Sequence, residues 1–220
     1  RKKIVLSCII KRKMNKLGSI CNMALGYKFL LLLTLLSGLI SYDPMTWFME
    51  VLPAIVGLLV VIYLYTNGIT FSPLLTTVIV IHVFILVIGG IFTYPRVPFF
   101  GPDDFLGDTL DWSRNNYDKL GHFMQGFTPF IATKEMLVKR NILRRGAMLI
   151  FLSISVSLAV SALYELVEYA SLLCLGDGAE DFIGAQGDPF DTQTDIFWAM
   201  IGAIVASFVA APYKYKIVKS

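Results

Sequence analysis

Seven ionisable residues lie in or beside the long apolar stretches of this sequence, where such side chains are rare. They are Asp118, His122, Glu165, Glu168, Asp188, Asp191 and Asp195. A charged side chain at the centre of a bilayer costs about 2.5–3.5 kcal/mol on insertion scales, so such groups usually pair, bind an ion or take part in chemistry. Carboxyl groups that lie close together must share protons, raise one another's pKa or bind a cation. We therefore treat these residues as candidates for a functional site.

Two kinds of chemistry suit these residue types. Carboxylates are hard oxygen ligands, so we expect a divalent metal such as Mg²⁺, Mn²⁺ or Ca²⁺ to bind Glu165, Glu168, Asp191 and Asp195. His122 is the candidate general base or nucleophile, and Asp118, one helical turn earlier, would orient it. The candidate substrate-binding residues are Gln125, Tyr164, Gln186, Asp188 and Gln193.

Simpler explanations compete for part of this set. Asp118 and Asp191 stand where helices are expected to begin, and an acidic residue there can cap free amides and suit the helix dipole. Tyr164 could be an interfacial aromatic residue. Three basic residues near the site, Arg96, Arg114 and Lys119, are not expected to pair with every acid. A functional site is therefore favoured over a purely structural polar network.

The composition is that of an integral membrane protein. Of the 220 residues, 56% are hydrophobic and 16% are charged, whereas a soluble domain has roughly a quarter charged residues. The net charge of +3 gives no indication of nucleic-acid binding. The three cysteines, Cys8, Cys21 and Cys174, are odd in number and widely spaced, so they support neither a disulfide framework nor a zinc site.

Apolar runs and helical spacing predict an all-α membrane bundle of about six transmembrane helices, since a span needs ~20 residues. The fourth span is the least hydrophobic, but Leu120, Phe123, Phe127, Phe130 and Ile131 recur at helical spacing. The expected spans are 22–41, 47–66, 73–93, 117–137, 146–174 and 191–212.

The distribution of Lys and Arg predicts the orientation of this bundle. Basic residues concentrate before the first span, between spans four and five, and after the sixth. Cytoplasmic loops carry such an excess, so both termini are expected in the cytoplasm. The candidate site then faces the extracytoplasmic side. The loops expected on that side carry acids, among them Asp103, Asp104, Asp108, Asp111, Asp177, Glu180 and Asp181.

The N-terminal residues are set apart by their charge. Residues 1–16 are basic and are expected to form a cytoplasmic segment, and 17–220 a single transmembrane domain. Because Met14 is followed shortly by the first long apolar run, residues 1–13 are expected to lie upstream of the natural start. A cleaved signal peptide is the rival interpretation, with Lys16 in its basic region and 30–36 as its apolar region.

Three ordered motifs resemble the YjdF family of bacterial inner-membrane proteins. They are Tyr-Asp-Lys-Leu-Gly-His at 117–122, Ser-Ala-Leu-Tyr-Glu-Leu-Val-Glu at 161–168, and Gln-Gly-Asp-Pro-Phe-Asp-Thr-Gln-Thr-Asp at 186–195. The resemblance implies a bacterial inner-membrane location and a shared site more than a named activity. A fainter resemblance, limited to the first motif and its helix, is to VanZ-like proteins and a wider group of membrane enzymes acting on lipid head groups. Tyr169 stands where the first family would have a tryptophan.

Three functions are compatible with these features. The leading hypothesis is a hydrolase or transferase acting on a lipid head group or lipid-linked precursor, with membrane lipid as its partner. A second is an ion- or proton-coupled transporter, since chains of Asp, Glu and His mark proton paths. A third is a non-catalytic lipid-ligand binder or envelope assembly factor. The sequence leaves the substrate and the oligomeric state open.

Overall fold

The computed structural model describes residues 2–110, 112–176 and 180–215. Asp111, Asp177, Lys216 and Lys219 lie outside this part of the chain, as do the side chains of 2–17, Glu180 and Asp181. The helices are α1 (Lys2–Ser37), α2 (Pro44–Thr66), α3 (Pro73–Phe92), α4 (Phe105–Leu110), α5 (Tyr117–Lys139), α6 (Ala147–Leu175), α7 (Glu180–Ile183) and α8 (Asp191–Val209). Single 3₁₀ turns follow α1 at Gly38–Ile40 and α3 at Tyr94–Arg96.

The all-α membrane bundle predicted from the sequence is confirmed. Five helical segments are long and apolar enough to cross a bilayer: Cys21–Ile40, Pro44–Thr66, Pro73–Phe92, Ala147–Leu175 and Asp191–Val209. Helix α5 is not among them, because its 23 residues include five charged side chains. It is nevertheless about 35 Å long at 1.5 Å per residue and packs against α3, α6 and α8. It lies where helical spacing predicted the fourth span, and with it the described part of the chain has six long helices.

Two groups of helices share the interior. Helices α1, α2 and α3 pack around Tyr27, Val51, Leu58 and Leu86. A second core joins α3, α5 and α8 around residues such as Phe130. Large apolar side chains on the outer faces remain exposed, as is usual for helices that face lipid.

Backbone contact between α5 and α8 makes this pair the tightest seam of the fold. A Cβ added to Gly126 would stand 1.7 Å from the carbonyl oxygen of Ala199, and one added to Gly202 would stand 1.9 Å from that of Phe123. Only glycine allows backbones to approach so closely, and small residues fill this role in membrane helix packing. The seam therefore fixes how the acids of α5 and α8 face each other.

Helix α6 turns a polar stripe inward. Ser153, Ser157 and Ser161 are fully buried and follow one another at four-residue spacing, and Glu165 and Glu168 continue the same face. The hydroxyl groups of Ser153 and Ser157 donate to the carbonyls of Leu149 and Ser153, at 2.8 and 3.0 Å. Because α6 packs on α5 and α8, this stripe carries its two glutamates to the same end of the bundle as His122 and Asp195.

A second buried acid holds the opposite end of the bundle. Glu135 of α5 is fully buried and accepts hydrogen bonds from the backbone N–H of Ser72 and from Nζ of Lys139, both at 2.6 Å. Lys134 donates to the carbonyl of Ala210 at 2.8 Å. These contacts tie the start of α3 and the end of α8 to α5.

Candidate functional site

Arg114, in the loop before α5, organises the outer half of the site. Its guanidinium donates to Asp191 at 2.7 Å and to Asp118, four residues on in the chain. It also donates to the backbone carbonyls of Gly184 and Ala185, at 2.9 and 3.0 Å. Arg114 thus joins the starts of α5 and α8 to the loop that connects α6 with α8.

The charge of Arg114 is maintained by these neighbours. Burial alone would lower its pKa, but the carboxylates of Asp118 and Asp191 outweigh that effect and raise the pKa of Arg114. Asp188 adds a longer contact of 3.7 Å. This guanidinium is a permanent counter-charge for the outer acids.

Lys119 fills the space between three carboxylates. Its Nζ lies 2.9 Å from Asp191, 2.8 Å from Asp195 and 3.4 Å from Asp118. Thr194 accepts a further hydrogen bond at 3.0 Å. The ligand oxygens of Asp118, Asp191 and Asp195 lie within 4.8 Å of one another, so a metal there would compete with this ammonium group.

The inner half of the site is formed by His122, Glu165 and Glu168. One ligand atom from each lies within 4.8 Å of the others, and all three residues are buried. The Nδ1 atom of His122 and both carboxylate oxygens of Glu165 have no hydrogen-bond partner among the described residues. The Thr192 hydroxyl is near Glu165 but outside hydrogen-bonding geometry. Buried polar atoms without partners are costly, so these atoms are the candidate ligand-binding groups of the site.

The imidazole of His122 lies between two carboxylates on other helices. Its Nδ1 is 3.6 Å from Glu165 on α6, and its Nε2 is 3.6 Å from Asp195 on α8. Asp118, expected to orient His122, is instead paired with Arg114 and Lys119. In the structure, the carboxylate that faces Nε2 of His122 is that of Asp195.

A small cavity of about 20 Å³ opens beside His122. Gln125, Glu168 and Tyr164 line it, together with Phe182 of α7 and Tyr94 of the turn after α3. The Tyr164 ring packs edge-on against both His122 and Phe182, at centroid distances of 6.2 and 6.1 Å. Burial raises the pKa of Tyr94 well above its ordinary value, so its phenol stays neutral. The volume is enough for about one water molecule.

The remaining candidate substrate-binding residues lie at different places. The Gln186 side chain is used structurally, because its amide exchanges hydrogen bonds with the backbone of Asn115 at 3.0 and 2.9 Å. Asp188 accepts from the Phe190 N–H at 2.9 Å. Gln193 is exposed and, two residues from both Asp191 and Asp195, faces another side of α8. The structure does not bring Gln193 to the cluster.

The expected capping roles of Asp118 and Asp191 differ from what the structure shows. Helix α8 begins at Asp191 itself, and the preceding Phe190 makes no side-chain cap. Asp191 directs its carboxylate to Arg114 and Lys119 instead. Asp118 does accept the Lys119 N–H at 2.7 Å, but its other oxygen also faces Arg114. Both acids lie in the first turn of their helices, as expected from the helix dipole, and their carboxylates also pair with Arg114.

Arg114 and Lys119 are the principal residues that sequence reasoning left out of the site. Both were recognised as nearby cations. Arg114 precedes Asp118 by four residues, but it lies in the loop before α5, so helical spacing does not predict their contact. The contact with Asp191 depends on how two loops fold, and no local pattern indicates it.

Comparison with known proteins agrees with this architecture. A family model described as "Predicted membrane protein (DUF2238)" matches residues 23–216. The chain belongs to this family. The DUF2238 match covers the whole candidate site and every long helix except the first part of α1. No solved structure matches the chain.

A curated relative supports the same assignment. The inner membrane protein YjdF of Escherichia coli (strain K12) is 42% identical over 186 residues, which cover 84% of this chain and 86% of the relative. The resemblance to the YjdF family, inferred from three motifs, is confirmed. This DUF2238 protein is thus a multi-pass membrane protein, and the VanZ-like resemblance stays a prediction.

Proposed function

We propose that the protein is a metal-dependent membrane enzyme that hydrolyses or transfers the head group of a lipid or lipid-linked precursor. The single observation that supports this most is the buried cluster of His122, Glu165 and Glu168, whose ligand atoms converge without protein partners for Glu165 or for His122 Nδ1. The paired acids nearby have cations, whereas this cluster retains free ligand atoms. A divalent cation would satisfy them.

The arrangement around His122 matches that of a metal-binding histidine. Its Nδ1 faces Glu165, on the side of the cluster, and its Nε2 faces Asp195 on the other side. Metal-ligating histidines commonly have a carboxylate behind the second ring nitrogen, which fixes the tautomer and the ring orientation. Lys119 in turn holds Asp195 at 2.8 Å. One imidazole and two carboxylates favour Mn²⁺ or Zn²⁺ over Mg²⁺ or Ca²⁺.

Residues of the chain would bind the head group and hold the neighbouring acids in place. A bound metal would activate water and neutralise charge on a phosphate. Gln125 and Tyr164 line the adjoining cavity and would position the head group. Arg114 and Lys119 would hold Asp118, Asp191 and Asp195 in place rather than bind phosphate, because their donors are already used by carboxylates and carbonyls.

We further propose that the protein lies in the bacterial inner membrane with both termini in the cytoplasm. Basic residues of α5 and the following connection, Lys134, Lys139, Arg140, Arg144 and Arg145, lie at the end of α5 opposite Asp118. The positive-inside rule puts that end in the cytoplasm and the site on the extracytoplasmic side. A reporter fused after Ser220 tests this, and reporter activity outside the cytoplasm would contradict it.

The metal site is tested with purified protein in lipid nanodiscs. Mn²⁺ or Zn²⁺ is expected to raise the melting temperature of the unaltered protein and to be retained at one equivalent after gel filtration. Glu168→Gln should abolish both effects. Glu135→Gln is the matched control, since it removes another buried acid at the opposite end of the bundle and should leave the metal-dependent shift in place.

The enzymatic step is tested by head-group release. The protein is incubated with a panel of phospholipids and lipid-linked sugars and each divalent metal, and products are followed by mass spectrometry. Turnover that disappears in His122→Ala and Glu165→Gln supports the enzyme. Unchanged lipids throughout would overturn it. Ion flux in proteoliposomes without turnover would indicate a carrier, and lipid binding that survives His122→Ala would indicate a non-catalytic binder.

A further inference from the structure

A large apolar cavity lies within the membrane part of the protein. It has a volume of about 560 Å³ and is bordered by α2, α3, α5 and α6, with Leu58, Val83, Pro129 and Leu163 among its lining residues. The polar side chains in its lining are His82, Gln125, Thr128 and Tyr164. Its size is within the ~300–1,000 Å³ typical of small-molecule sites. Its walls suit a hydrocarbon chain.

The apolar cavity adjoins the small cavity beside His122 and Glu168. Leu86, Gln125 and Tyr164 line both this cavity and the small cavity beside His122. One end of the apolar cavity is therefore next to the buried imidazole and Glu168. A ligand that occupies both spaces must have a polar end and an apolar end.

The cavity also faces the surrounding lipid. Helix α2 packs on α1 and α3, whereas α6 packs on α5 and α8, and the cavity occupies the space left between α2 and α6. Val60 on α2, and Leu163 and Val167 on α6, line it while remaining 51%, 63% and 50% exposed. A membrane lipid can thus enter sideways without leaving the bilayer.

The length of the cavity distinguishes between kinds of hydrocarbon. Along α5 its lining runs from Gln125 to Met136, about 16 Å at 1.5 Å per residue. The hydrocarbon core of a bilayer is about 30 Å thick, so the cavity is about as long as one leaflet is deep. That is the depth of a glycerophospholipid acyl chain, whereas a long isoprenoid carrier would extend beyond it.

We propose that this cavity binds one acyl chain of a membrane glycerophospholipid and directs its polar end toward the small cavity beside His122 and Glu168. The chain enters between α2 and α6, and its polar end passes Gln125 and Tyr164. This proposal rests on the proposed function for the identity of the head-group site, but it assigns the substrate class and the binding route.

The test measures chain binding directly. A glycerophospholipid that carries a photoactivatable diazirine on one acyl chain is reconstituted with the protein in nanodiscs, and crosslinks are mapped by mass spectrometry. Crosslinks are expected on buried cavity-lining residues such as Leu58 and Val83. Labelling confined to outward-facing residues such as Phe151 and Leu173, which are exposed and do not line the cavity, would overturn the proposal.

Two matched pairs of variants make the result specific. A Cβ at Gly57 or at Gly26 meets no atom within 4 Å, yet only Gly57 lines the cavity. Gly57→Phe should lower cavity crosslinking about tenfold, the effect of excluding about two methylenes from a buried site, and Gly26→Phe should leave it unchanged. If Gly57→Phe does not fold, Leu163→Trp is compared with Leu166→Trp. These residues are 63% and 61% exposed, and only Leu163 lines the cavity.

The outcomes separate this proposal from the proposed function. Cavity crosslinks that depend on Gly57, without head-group turnover, would leave the chain site standing and reject the enzyme. Head-group turnover without cavity crosslinks would support the enzyme and reject the acyl-chain site. Crosslinking by a polyprenyl phosphate probe, with none by the glycerophospholipid, would overturn the assignment of substrate class.

Discussion

Nζ of Lys119 lies 2.8 Å from a carboxylate oxygen of Asp195, inside the seam between α5 and α8. Asp195 is buried, and its other oxygen faces His122 at 3.6 Å. The ammonium group of Lys119 therefore offsets the charge of the carboxylate that faces Nε2 of His122. Within the described part of the chain, Asp195 links Lys119 to His122.

Replacing Lys119 should destabilise the protein strongly. Lys119→Met removes the ammonium group that lies among Asp118, Asp191 and Asp195, and breaking a buried ion pair costs about 3–5 kcal/mol. Thermal unfolding in detergent measures the loss. Lys214→Met changes an exposed lysine and should leave the melting temperature within error. Equal stability of the two variants would contradict the role given to Lys119.

The same substitution should create a new cation site. Without the ammonium group, Arg114 still pairs with Asp118 and Asp191, but the space that Nζ occupied lies among three carboxylates whose oxygens are within 4.8 Å of one another. Ca²⁺ or Mg²⁺ can take the place of the ammonium group there. We expect millimolar Ca²⁺ to restore much of the melting temperature of Lys119→Met. The double variant Lys119→Met with Asp191→Asn should lose this response, and a response that persists would show that Ca²⁺ binds elsewhere.

Removing Arg114 should loosen the loop between α6 and α8. Arg114→Met deletes donors to the carbonyls of Gly184 and Ala185 and to Asp191. Hydrogen exchange measured by mass spectrometry is expected to accelerate about tenfold or more in peptides covering 184–190, since each lost charge-assisted hydrogen bond contributes about 1.5–3 kcal/mol. Arg140→Met, at an exposed arginine at the other end of α5, is the control. Unchanged exchange in 184–190 would show that Arg114 does not hold the loop.

A methyl group in the seam between α5 and α8 should not be tolerated. Gly126→Ala would place a Cβ 1.7 Å from the Ala199 carbonyl oxygen, and overpacking typically costs about 1–3 kcal/mol and occasionally more. Guanidinium or thermal unfolding in detergent measures this cost. Gly26→Ala, with open space around the added Cβ, should be neutral or slightly stabilising because alanine favours helix. A neutral Gly126→Ala would refute the close contact.

The fold was predictable because hydropathy alone marks five of the helices. The sixth, α5, required helical spacing, since Asp118, Lys119, Lys134 and Glu135 lower its hydropathy. Its charges face the interior, where other helices and loops supply partners. Hydropathy averaged over a sequence window cannot detect such compensation, whereas the helical spacing of apolar residues can.

The site was predictable in location but less so in its pairing. Helical spacing put His122, Glu165, Glu168 and Asp195 at one end of the bundle, and the structure brings them together. The pairing of particular acids with particular basic residues could not be inferred from the sequence. Arg114 contacts Asp191, for example, because of how the two loops that precede α5 and α8 fold. The position of Gln193 could have been inferred, since two residues from Asp191 turn a helix by roughly 200°.

The glycine contacts between α5 and α8 have a consequence for how this family can diversify. The backbone of the facing helix leaves no room for a side chain at Gly126 or Gly202, whereas Gly57 and the α6 residues that face lipid have open space around them. Relatives that recognise different lipids should therefore differ from this chain along α2 and the outer face of α6, and retain the two seam glycines. Under the proposed function, a change of substrate would appear as substitutions at the residues that contact the bilayer.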